Sequence, residues 1–124
     1  MEDEIKVGEY VRTKDGIIAK VTYVDGLMID CDEDVFDLKN LAMMEIPIEY
    51  AEEYIIKHSF NIIDLIEEGD YVNGCKVYEN HKTYLIVHQK VKNSEVDYNY
   101  INHNEIKSIV TKEIFAQMEY KVKE

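Results

Sequence analysis

One arginine, one proline, no tryptophan and two cysteines are found among 124 residues, and each shortage excludes something. Arg12 is the sole arginine, and 26 acidic side chains outnumber 14 basic ones for a net charge of −12. Phosphate neutralisation needs clustered Lys and Arg, so direct nucleic-acid binding is not expected. Cys31 and Cys75 lie 44 positions apart and match neither a zinc-ligand nor a disulfide spacing. All five glycines fall in expected turns or strand starts, which leaves no glycine-rich phosphate loop. No apolar run approaches the ~20 residues of a membrane span, so no membrane partner is expected. Met1-Glu2-Asp3-Glu4 lacks the basic start and apolar core of a signal peptide, and the expected location is the cytosol.

What remains is 46% apolar and 32% charged, enough for one compact domain or two very small ones. The charge is uneven. Residues 1–50 carry 13 acidic and 5 basic side chains, and residues 51–124 carry 13 and 9. A partner that responds to charge should therefore feel the N-terminal half more strongly.

Turn chemistry divides the chain into short strands. Lys14-Asp15-Gly16 and Asp25-Gly26 are hairpin turns between Tyr10–Thr13, Ile17–Val24 and Leu27–Cys31, which predicts a three-stranded meander. Asn73-Gly74 predicts a further hairpin leading into Cys75–Tyr78, and Tyr84–His88, Asp97–Ile101 and Ile106–Val110 read as strands. Pro47 suits a first helical turn, because its missing N–H would be unpaired there. Apolar residues at steps of three and four then predict a helix from Pro47 to His58, with Glu49, Glu52 and Glu53 toward its positive end. A short helix is expected over Lys112–Met118, followed by Tyr120–Val122. The domain reading is a β unit over 1–46, a connecting helix over 47–58 and a second β unit over 59–124, with a shared core or a dimer stabilising the two small halves.

The halves open alike. Lys6-Val7-Gly8-Glu9-Tyr10-Val11 parallels Glu67-Glu68-Gly69-Asp70-Tyr71-Val72, which suggests a duplication. This glycine-acid-tyrosine-valine start followed by hairpins resembles small SH3-like β-barrels, including the KOW and Tudor types, and that resemblance implies a mainly β (α+β) fold of two SH3-like or hairpin-built units. In addition, Lys57–Gly74 and Ile106–Glu113 resemble a small protein family of phages and prophages of Firmicutes, especially clostridia. The lysine-, isoleucine- and asparagine-rich composition fits such an AT-rich source. This second resemblance implies a phage-encoded accessory protein in the host cytosol and carries no known activity.

Among candidate sites, Asp30-Cys31-Asp32-Glu33-Asp34-Val35-Phe36-Asp37 is the densest acidic run. Its alternating carboxylates match the first ligands of a calcium loop, but Val35 stands where glycine is needed and Leu41 where a glutamate is needed, so no metal site is expected. The run can equally be a solvated strand end, with Val35, Phe36 and Leu38 returning to the core. His58, His81, His88 and His103 show no ligand spacing. Cys31 and Cys75, in apparently equivalent places, have no base singled out for them, so neither catalysis nor a cofactor is expected. Tyr71, Tyr78, Tyr84, Tyr98 and Tyr100 bias the second half toward aromatics, divided between core and surface.

These readings converge on a non-enzymatic protein that binds a macromolecule. Its expected partner is a protein with a basic surface, for example a nucleic-acid-handling or defence protein. The expected contact set is Asp30, Asp32, Glu33, Asp34 and Asp37, acting as a phosphate mimic. An oligomeric binder of a nucleotide-like signal is the alternative, and it would need Arg12, Lys14 or Lys20 to gather at the site.

Overall fold

The computed structural model describes residues 4–33, 35–36, 43–90 and 96–118. Two compact units emerge, Met1–Leu65 and Ile66–Glu124. The first is built from β1 (Tyr10–Thr13), β2 (Ile18–Val24), β3 (Met28–Asp32), β4 (Met43–Pro47), α1 (Ile48–Tyr54) and β5 (Ile55–Ser59), then a 3-10 turn at Ile62–Leu65. Its five antiparallel strands lie in the order β4-β3-β2-β1-β5. The second has β6 (Tyr71–Val72), β7 (Cys75–Asn80), β8 (Tyr84–Lys90), β9 (Val96–Asn102), a 3-10 turn at His103–Glu105, β10 (Ile109–Val110) and α2 (Lys112–Met118). Its order, β10-β6-β7-β8-β9, is the same plan. In both, a four-stranded meander is closed on its first strand by a fifth strand that follows a helical segment, an SH3-like connectivity. The protein is mainly β.

The shared opening folds identically in both units. Gly8 and Gly69 each adopt φ +95°, a left-handed conformation that a residue with a Cβ rarely takes. The turn around Gly8 is closed by Glu9 N donating to Lys6 O (3.1 Å), Gly8 N to Val21 O (2.9 Å) and Val21 N to Glu9 O (2.8 Å). Around Gly69 the same bonds run from Asp70 N to Glu67 O (3.1 Å), Gly69 N to Val77 O (3.0 Å) and Val77 N to Asp70 O (2.7 Å). The following strand bulges at the same place, between Val21 and Tyr23 in one unit and between Val77 and Glu79 in the other. Each bulge resets which residues face inward, so the alternation of buried and half-buried residues along β2 breaks at Thr22.

Inward residues correspond in the same way. Val11, Val21, Ile29, Cys31 and Ile46 build the first core, joined by Ala19, Ala51, Ile55 and Ile5. Through the strand registers they match Val72, Val77, Leu85, Val87 and Ile101, all buried. Cys31 therefore corresponds to Val87, and Cys75 to Ala19, so the two cysteines do not occupy equivalent places.

Several expectations need correction. The helix stops at Tyr54 instead of His58, because Ile55–Ser59 turns extended and pairs antiparallel with β1. β-branched Ile55 and Ile56 favour that strand, and tertiary pairing overrides the helical periodicity. Since β5 completes the first sheet, α1 belongs to the first unit and does not connect the halves, and the division falls after Leu65. Ile62–Leu65 forms the 3-10 turn, in which Ile63 and Leu65 are buried. Phe36 is exposed and does not return to the core. β4 (Met43–Pro47) is an additional strand, not among those the turn pattern predicts. Leu38 and Tyr120–Val122 lie outside the described residues.

Candidate binding surfaces

The acidic run divides on folding. Asp30 is half-buried on the outward face of β3, directly opposite Glu45 of β4, and Glu33 is exposed just beyond the strand. Like charges facing each other across strands are destabilising, and no cation is bonded to either Asp30 or Glu45 among the described residues. Asp32 is different. It is only 1% exposed and already engaged in interactions, so it cannot belong to a solvent-facing contact set. A carboxylate is buried at tolerable cost only when other groups compensate it. Asp34 and Asp37 lie outside the described residues.

Arg12 is likewise fully buried, with Nη1 donating to Leu65 O at 2.9 Å. The sole guanidinium thus holds the 3-10 turn against β1 and is not itself open to solvent. Lys20 extends its ammonium over the Tyr10 ring at 5.6 Å.

The second unit carries the aromatic surface. Leu85 and Val87 of β8 point inward, so Tyr84, Ile86 and His88 point outward. Across β8–β9 the register sets His88 opposite Tyr98 and Ile86 opposite Tyr100. Tyr78, at the bulge of β7, completes a triangle: the Tyr78–His88, Tyr78–Tyr98 and His88–Tyr98 centroids are each 5.1 Å apart. Tyr84 links His81, stacked at 4.8 Å, to Tyr100, edge-on at 5.7 Å. Tyr78, Tyr98 and Tyr100 remain 46%, 54% and 64% exposed. His88 Nε2 is buried without a hydrogen-bond partner. The sequence displayed the tyrosines, but their convergence depends on strand register. The signal available in advance was the Tyr98-Asn99-Tyr100 alternation, which puts both rings on one face of a strand.

Glu9, His58 and Asp70 are tied into the fold. Glu9 accepts from Lys6 N (3.1 Å) through Oε1 and contacts His58 Nδ1 (2.5 Å) through Oε2, clamping the first turn to β5. In the second unit the buried Asp70 does the same with both oxygens, accepting from Glu67 N (2.7 Å) and Lys112 N (2.9 Å). Burial, with the charges of Asp30 and Glu33 nearby, pushes the Cys31 thiol up to about 11, which keeps it from acting as a thiolate. Among the described residues no three His, Cys, Asp or Glu side chains converge as a metal site, and no helix is long and apolar enough to cross a membrane. No family model, curated protein or solved structure matches the chain.

Proposed function

We propose that this chain is a non-enzymatic phage accessory protein that binds a protein partner with a basic surface. The aromatic outer face of β7–β8–β9 provides the contact, and the acidic first unit provides long-range attraction. The observation that carries the reading is the group of exposed tyrosines, Tyr78, Tyr98 and Tyr100, on one sheet face. Tyrosine is enriched in recognition surfaces because it offers apolar area and a hydroxyl at low entropic cost. Its ring faces also attract Lys and Arg. Charge supports the same partner: residues 1–65 contain sixteen acidic and six basic side chains, residues 66–124 ten and eight, for nets of −10 and −2. The attraction then comes chiefly from one unit, and the near-neutral unit is free to make apolar contact. A nucleic-acid-handling or defence protein of the host is the class of partner whose basic cleft fits. The phage setting rests on the sequence resemblance and composition.

Affinity capture from a host lysate with quantitative mass spectrometry tests this. A basic protein retained by the wild type should be lost with Tyr98→Ala/Tyr100→Ala, a weakening of more than about tenfold. Asp30→Asn/Glu33→Gln should chiefly slow association and flatten its salt dependence. Equal retention by all three proteins would reject the surface, and a nucleotide absorbance co-eluting through gel filtration would favour the small-molecule alternative.

A further inference from the structure

A pocket of about 430 Å³ opens in the first unit, between the segment before β1, the β2–β3 turn and α1. Its floor is apolar: Ile5, Val24, Ile29, Ile48 and Ala51. Ile48 is 38% exposed, an apolar wall left open to water. The remaining described lining residues are Glu4, Asp25 and Glu52, all exposed carboxylates, and among the described residues no Lys, Arg or His lines the pocket. Asp25 is fixed in place. Its Oδ1 accepts from Leu27 N (2.7 Å) and Met28 N (2.8 Å), and its Oδ2 accepts from Tyr23 Oη (3.0 Å). These bonds hold its carboxyl below the usual carboxylate range, so its charge persists through neutral pH.

The volume lies within the ~300–1,000 Å³ range of small-molecule sites. An anionic rim repels phosphates and carboxylates. A bare metal ion finds no converging ligand set among the described residues, and it would leave the isoleucine floor wet. What fits both parts is a cation that brings its own apolar body. We propose that this pocket binds a small aliphatic polyamine, a di- or triamine whose methylenes lie on the isoleucine floor and whose ammonium groups meet Glu4, Asp25 and Glu52.

The second unit shows what distinguishes the site. Val24 pairs with Ile29, and its counterpart Asn80 pairs with Leu85. Asn80 turns its Nδ2 to Ile66 O at 2.8 Å, and His81 follows it where Asp25 follows Val24. A three-residue 3-10 turn takes the place of α1. The duplicated position therefore has lost the apolar wall, the helix and the acid of the β2–β3 turn together.

Calorimetric titration with spermidine and with 1,5-diaminopentane at one fixed ionic strength tests the proposal, with isoleucine-methyl NMR as the second readout. Both amines should bind and should shift the methyls of Ile5, Ile29 and Ile48. Glu4→Gln/Glu52→Gln should weaken binding roughly tenfold. Glu49→Gln/Glu53→Gln, which removes the same charge from α1 outside the pocket, should change it less than about twofold. Equal weakening by the two variants would show diffuse counterion attraction and overturn the site. So would magnesium binding as tightly as the diamine, or isoleucine methyls that do not move. None of these results depends on the tyrosine face.

Discussion

Asp32 and His88 hold the same place in two copies of one strand plan, each opposite a lysine on the preceding strand, Lys20 and Lys76. In the first unit that place is a buried carboxylate. In the second it is an imidazole between two tyrosines. The same contrast runs along the outward face, where Asp30 and Glu45 of β3–β4 correspond to Ile86 and Tyr100 of β8–β9. The inward positions, by contrast, are aliphatic or small in both units. The difference teaches where a duplicated fold is free to change: inward side chains must fill a close-packed core, while outward ones, unless buried as Asp32 is, answer mainly to solvent and partners.

The comparison is broken most severely at the carboxylates that clamp the opening turns. Asp70 is fully buried and accepts two backbone N–H groups, so Asp70→Ala should cost about 3–5 kcal/mol. Glu9 accepts only one, together with His58, so Glu9→Ala should cost less, about 2–3 kcal/mol. Urea melts read both, and equal losses would mean the two clamps are equivalent after all.

Next come the acidic positions themselves. Asp32→Asn should destabilise by about 2–4 kcal/mol, because it removes charge from a buried, partnered site. Asp30→Asn should change stability by less than about 0.5 kcal/mol or raise it slightly, since it relieves the repulsion with Glu45. Thermal melts that rank these two variants the other way would contradict the burial of Asp32.

The turns should follow. Asn73 (φ +52°) and Gly74 (φ +81°) form the hairpin between β6 and β7. The Asn73 side chain also accepts from Lys107 N (2.8 Å) and Ser108 N (3.1 Å) and donates to Glu105 O (2.9 Å). Asn73→Ala should cost about 1–2 kcal/mol and Gly74→Ala about 1 kcal/mol, with amide exchange accelerated at residues 105–108 only for the former. The smallest effect is chemical and leaves the fold intact. At neutral pH a disulfide reagent should label the half-buried Cys75 and spare Cys31 until the protein is unfolded.

The turn residues Asp15-Gly16, Asp25-Gly26 and Asn73-Gly74 made the hairpins legible from the sequence. The recurring glycine-acid-tyrosine-valine start made the duplication legible, because a left-handed glycine and its neighbouring acid act within a few residues. Lys112–Met118 was legible as a helix for the same local reason. Where the helix after Pro47 ends was not. Ile55–Ser59 keeps a helical spacing until β1, more than forty positions away, offers it a strand partner. Nor could spacing reveal that Arg12 and Asp32 are buried while Glu33 is exposed, since strand packing decides which charges lose water. The sequence by itself determined two β units, their turns, their shared opening and the excess of acid in the first. Only the tertiary structure decided that Tyr78, Tyr84, His88, Tyr98 and Tyr100 share a face and that three carboxylates ring an isoleucine floor, because both arrangements are made by pairing and packing between residues distant along the chain.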